Sequence, residues 1–121
     1  MIRDYTALET LDLSENNIGN DGAKNIAAMI EENKTIKSLK LTNCQIGTKG
    51  LQVIVSALSK EGCQSLEFLD IRGNAIPDKQ LKILLVLLYN NRNIQEIDYS
   101  LCDEKNIEKR IGARIKNLIY K

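Results

Sequence analysis

Asp12, Lys40, Asp70 and Asp98 stand 28, 30 and 28 residues apart. The thiols of Cys44, Cys63 and Cys102 are the other groups with reactive chemistry. Two carboxylates brought together could act as an acid–base pair or hold a metal. A thiol could serve as a nucleophile or a zinc ligand, given a base or further ligands close by. The rest of the chain argues against each of these. It has no histidine, which removes imidazole bases and every His-containing metal site. The cysteines are odd in number, widely spaced and without a C-x-x-C pair, so neither a disulfide framework nor a zinc site is expected. No glycine-rich phosphate loop and no nucleophile–base pair is present. The expected chemistry is recognition, with no enzyme activity, no cofactor and no metal.

Composition narrows the partners. A chain of 121 residues with a net charge of +1 has no field to draw in nucleic acid or an acidic membrane. It has no Trp and a single Phe, Phe68, so platforms for stacking bases are scarce. The start, MIRDYTALETLDL, lacks the apolar core of a signal peptide. The longest apolar run, positions 83–88, is too short to span a bilayer. These features predict a single domain over residues 1–121 in a reducing, cytoplasmic setting, with neither nucleic acid nor membrane as a partner.

The spacing of the charged column extends to the apolar residues around it. Leu8, Leu11, Leu13, Asn16 and Ile18 fit L-x-x-L-x-L-x-x-N-x-I. Ile36, Leu39, Leu41, Cys44 and Ile46 repeat it with Cys in place of Asn, and Leu66, Leu69, Ile71, Asn74 and Ile76 repeat it again. Ile94, Ile97, Tyr99 and Cys102 open a fourth copy that breaks at Glu104. Units therefore start near 8, 36, 66 and 94. A fixed period of this length marks a solenoid. The second half of each unit has helical spacing: Ala23, Ile26, Ala27, Ile30; Leu51, Ile54, Val55, Leu58; and Leu81, Leu84, Leu85, Leu88. Asn20 or Asp21, Thr48 and Asp78 are placed to cap these helices, and Pro77 precedes the third.

This pattern resembles the leucine-rich repeat family, and within it the ribonuclease-inhibitor-like class. The resemblance covers residues 8–102 and carries the stretch NNIGNDGAKNIAAMIEEN. It implies an α/β fold: a short horseshoe arc with a parallel sheet on the concave face and α-helices on the convex face. It also implies that Asn16, Cys44, Asn74 and Cys102 form a column in the turn after each strand, where an Asn amide or a buried thiol satisfies backbone groups. Cys63, in the KEGCQS expansion, is expected to be exposed.

Strand side chains alternate, so leucines facing in leave a second set facing out. That outer set is Thr10, Asp12, Ser14; Ser38, Lys40, Thr42; Phe68, Asp70, Arg72; and Glu96, Asp98, Ser100. It reads as a solvated, mostly acidic ribbon. Aromatic and Arg side chains are the usual anchors of interfaces. The expected partner-binding residues are therefore Lys40, Phe68, Asp70, Arg72, Glu96 and Asp98. A rival site is a convex apolar patch of Val53, Ile83 and Val86.

The two ends read differently. In residues 103–121, Ile107, Ile111, Ile115 and Leu118 form one stripe, expected to be a terminal capping helix. Residues 1–7 hold too little to cap the first unit. That edge is expected either to continue into a longer chain or to self-associate. The function expected is a non-catalytic protein–protein interaction scaffold binding through its concave face. The alternative is a regulatory module of a Ran GTPase-activating, tropomodulin-like or NOD-like receptor type, as a fragment of a longer chain.

Overall fold

The computed structural model describes residues 8–60, 64–80 and 82–99. The expectations for residues 1–7 and 103–121, Cys63, Leu81, Ser100 and Cys102, and for the Asp78 side chain, lie outside these.

Four three-residue strands form one parallel sheet in chain order: β1 (Thr10–Asp12), β2 (Ser38–Lys40), β3 (Phe68–Asp70) and β4 (Glu96–Asp98). Leu11, Leu39, Leu69 and Ile97 share one row of the register, and Asp12, Lys40, Asp70 and Asp98 the next. A slip of one residue would turn every leucine outward, so the alternation fixes this register. Helices α1 (Gly19–Glu32), α2 (Thr48–Leu58) and α3 (Ile83–Asn90) make the second layer. The result is a short leucine-rich α/β solenoid arc with the sheet concave and the helices convex. The core between the layers contains Leu39, Leu41, Leu69, Ile71 and Ile97 from the sheet side. Ile26, Ile30, Leu51, Ile54, Leu58, Leu84 and Leu88 meet them from the helices.

Two expectations for the helices need correction. Leu85 is not in the core: it is 49% exposed, and Leu87 is buried instead. The equivalent residues Ala27 and Val55 are buried, each on a helix with another packed after it, whereas α3 is the last helix described. Pro77 and a 3-10 turn at Asp78–Gln80 also delay the start of α3. The convex patch differs too. Val53 and Ile83 pack against the core, and the exposed apolar residues are Leu85, Val86 and Tyr89.

The caps also differ from those expected. Helix α1 already begins at Gly19, so Asn20 lies inside its first turn. Its Oδ1 accepts the N–H groups of Gly47 and Gly50 at 2.8 and 2.9 Å, at the start of α2. Thr48 opens α2 and makes no cap of its own. Asn20 therefore satisfies orphan donors of the following helix rather than its own.

The turns after the strands are joined by the Asn and Cys column. Asn74 Oδ1 accepts the N–H groups of Cys44 and Ile46, both at 3.0 Å, and its Nδ2 donates to the carbonyls of Leu41 and Ile71, both at 2.8 Å. Cys44 Sγ donates to the Leu13 carbonyl at 3.2 Å. A second column runs beside it: Thr35 donates to the carbonyl of Leu8 and Ser65 to that of Ile36. Each hydroxyl sits one residue before a unit start, a periodicity visible in the sequence.

Candidate partner-binding face

The outer rows of the sheet are Thr10, Ser38, Phe68 and Glu96, then Asp12, Lys40, Asp70 and Asp98, by their register. All six expected partner-binding residues stand on this one face. β2 and β3, which carry Lys40, Phe68 and Asp70, are paired on both sides, so these side chains are presented from a fixed pleated surface.

The carboxylates are not the solvated ribbon the sequence suggested. Asp70 is 2% exposed, and Asp98 is equally buried. A buried carboxylate must be hydrogen-bonded or paired, and Asp70 is. Its Oδ2 accepts from the Thr42 hydroxyl at 2.9 Å, and its Oδ1 from the Arg72 backbone N–H at 3.0 Å. The Arg72 guanidinium adds Nη2 to Oδ2 at 2.9 Å and Nε to both oxygens at 3.2 Å. Arg72 Nε also lies 3.7 Å from Asp98 Oδ2. Asp70's hydrogen bond and its charge hold the guanidinium pKa above its ordinary value. The Arg72 side chain nevertheless remains 42% exposed. The fork stands in the turn after β3, oriented by two sunken carboxylates and open to solvent on its other side, and half-buried Phe68 opens that strand.

Around this centre, Lys40 is half-buried opposite Asp70, and Glu96 is half-buried opposite Phe68. Asp12 is held below the usual carboxylate range, first by the Ser14 backbone N–H and then by the Ser14 hydroxyl and the Lys40 charge. One feature of the face was missed. Glu15, Asn43 and Gly73 occupy successive turns with positive φ, and Asn43 Nδ2 donates to Glu15 at 2.9 Å. A Cβ at Gly73 would overlap Asn43 Oδ1. The signal was available: these three residues follow the same 28- and 30-residue spacing.

The Cys44 thiol is fully buried, and burial pushes its pKa up. It is a packing and hydrogen-bonding group, not an activated nucleophile. Among the described residues no cluster of three or more His, Cys, Asp or Glu is arranged to hold a metal, and no helix is long and apolar enough to cross a membrane.

The fold and this face define a repeat solenoid that presents a sheet for recognition. The leucine-rich repeat family model matches residues 6–27, 32–55 and 62–79, more than half the chain. The chain belongs to that family. It is 34% identical over 79 residues to mouse "NACHT, LRR and PYD domains-containing protein 14", covering 64% of this chain and 8% of that protein. It is 28% identical over 104 residues to mouse "NACHT, LRR and PYD domains-containing protein 4C", covering 84% of this chain and 10% of that protein. The chain thus spans about a tenth or less of the length of these relatives.

Proposed function

We propose that this chain is a non-catalytic, cytoplasmic protein-binding module of the ribonuclease-inhibitor-like class, and that a protein partner seats on its concave face. The observation that carries the reading is Arg72: a guanidinium oriented by Asp70 and Asp98 yet open to solvent, on the face that also carries Phe68. A fork held in place before binding loses little entropy on docking and matches a partner carboxylate bidentately. Phe68 supplies apolar area on the same face, at the other end of β3. Lys40 and Glu96 flank this centre, while Asp70 and Asp98 act by holding Arg72 rather than by touching the partner. A second reading, the regulatory module of a NOD-like receptor, is favoured by the NACHT and PYD domains in the names of both mouse relatives. It places the same face inside a much longer protein.

The test is protein capture from cytosol by the chain and two sets of variants, read by mass spectrometry. Phe68→Ala and Arg72→Ala are expected to lose partners that Val86→Glu and Tyr89→Glu retain. The reverse pattern would move the binding surface to the helix side.

A further inference from the structure

Glu9, Lys37 and Glu67 each stand one residue before the row of Thr10, Ser38 and Phe68, and so form a row of their own where the strands begin. The backbone keeps them in step: the Lys37 N–H donates to the Glu9 carbonyl at 2.7 Å, and the Glu67 N–H to the Lys37 carbonyl at 2.8 Å. All three residues are exposed. Across the sheet their charges run negative, positive, negative, and uncharged Gln95 continues the row through its own N–H on the Glu67 carbonyl at 2.8 Å. These charges do not close on one another. Among the described residues, the ion pairs join Lys24 to Asp21, Lys60 to Glu31, and Arg72 to Asp70 and Asp98, and none includes this row. An exposed pair gains little by closing, because holding two long side chains costs rotamer freedom and water screens the attraction. The row borders an open cleft of about 390 Å³, whose wall is continued by Lys34, Gln64 and Asn93.

We propose that this row docks a helix of a protein partner, laid across the strands, whose near side carries Lys or Arg, then Asp or Glu, then Lys or Arg. The spacing selects a helix. Neighbouring strands stand about 4.8 Å apart, so the row spans about 10 Å from Glu9 to Glu67. Along a helix, three residues advance about 4.5 Å and seven about 10.5 Å, and residues at i, i+3 and i+7 share a face. An extended segment presents one face only every second residue, at steps of about 6.7 Å, and overruns the row by its third charge. The charge order selects the composition. A phosphate or an acidic membrane would meet Glu9 and Glu67 on either side of Lys37, whereas a cation, anion, cation stripe meets an opposite charge at each step. The row lies at the other end of β3 from Arg72, and the proposal does not rest on that centre.

The probes are two labelled, alanine-rich helical peptides of identical composition that differ only in order. One carries Lys, Glu, Lys at i, i+3 and i+7, and the other Lys, Lys, Glu at the same places. Binding to the whole chain is read by fluorescence anisotropy at low salt, where exposed charges are least screened. The Lys-Glu-Lys peptide is expected to bind about tenfold tighter, since the other order replaces two attractive contacts by repulsive ones. In the double variant Lys37→Glu, Glu67→Lys the preference is expected to pass to the Lys-Lys-Glu peptide. A third peptide, Lys-Glu-Lys with a central proline that breaks the helix, is expected to lose the advantage. Equal binding of the two orders by the native chain overturns the proposal, as does no measurable binding of either, and neither result needs a variant to fold. A preference that survives the charge exchange places the peptide elsewhere, and equal binding of the proline peptide makes the occupant an extended segment; each overturns it as well. Failure here leaves the reading of Phe68 and Arg72 standing, because the readout is peptide order against Lys37 and Glu67.

Discussion

The turn of the second unit is stitched to its neighbours by two asparagines acting in opposite directions. On the concave side Asn74 reaches back to the N–H groups of Cys44 and Ile46. On the convex side Asn20 reaches forward to those of Gly47 and Gly50. Each uses one amide oxygen for two backbone donors at 2.8–3.0 Å. They differ in burial: Asn74 is sealed in the core and Asn20 is exposed. Where water is excluded, an orphaned backbone group has no substitute partner, and the position tolerates only an amide or a small thiol. Where water reaches, the device can change from unit to unit. Asn20 is followed by Thr48 at the same place in the second unit. The third unit then dispenses with a donor altogether at Pro77 and starts its helix through a 3-10 turn. The strands consequently stay three residues long throughout, while the helices shorten from 14 to 11 to 8 residues.

Asn74→Ala is expected to have the largest effect. It strands the Cys44 and Ile46 N–H groups and the Leu41 carbonyl in the core, and is expected to cost about 3 kcal/mol or more at roughly 1–3 kcal/mol for each unmet group, less what repacking recovers. Urea unfolding with an unchanged slope measures it.

Gly50→Ala comes next. Alanine in a helix normally gains about 1 kcal/mol over glycine. Here the new Cβ would lie 2.7 Å from both Asn20 Oδ1 and Ile46 Cγ2, and 3.0 Å from Ala23 Cβ. Ile46 and Ala23 are core residues, so overpacking is expected to win by about 1–3 kcal/mol. In an Asn20→Ala background one of these clashes is gone, and the cost of Gly50→Ala is expected to shrink. If it does not, the tight approach of Asn20 is not what required glycine. Asn20→Ala alone is expected to cost about 1 kcal/mol, the ordinary value of a helix cap. A cost equal to that of Asn74→Ala would erase the distinction drawn between the two sides.

This distinction also explains what could be read from the sequence. The strands, their order and the ladder column follow from Leu, Asn and Cys at a fixed period, because in the second and third units these positions are buried and only a few residue types serve there. Leu85 misled because its helical spacing matches Ala27 and Val55. Periodicity marks which side of a helix is apolar, not whether a neighbour lies beside it. Asp70 misled for a related reason. Alternation placed it on the outer face, but its burial depends on Thr42 and Arg72 closing over it from one strand away and from two residues on. Asn20 was expected to cap its own helix because a capping residue is recognised locally. Its bonds run 27 and 30 residues forward instead.

The smallest effect belongs to the thiol that replaces asparagine in the ladder. Cys44 Sγ donates to one carbonyl of the preceding unit, whereas the Asn74 amide meets three groups there. A thiolate could not donate at all. It would sit in the core with Glu15 and Asp12 as nearby like charges, and burial is the main reason its pKa is raised. The folded state therefore holds this proton to higher pH than the unfolded state does. The associated stability is fully present below the ordinary thiol pKa of about 8.5 and is lost as pH rises through that range toward the folded value. At pH 7 the titration contributes nothing, and Cys44→Ala is expected to report lost packing and the lost hydrogen bond to the Leu13 carbonyl. Above about pH 9 the native chain is expected to lose stability relative to this variant, as seen in urea midpoints taken side by side so that lysine titration cancels. Brief alkylation of the native chain at pH 8, followed by peptide mapping, is expected to leave Cys44 unmodified. A Cys44 that reacts at the rate of an unfolded thiol would mean that the turn opens readily. The ladder would then be firm only where an asparagine, not a cysteine, closes it.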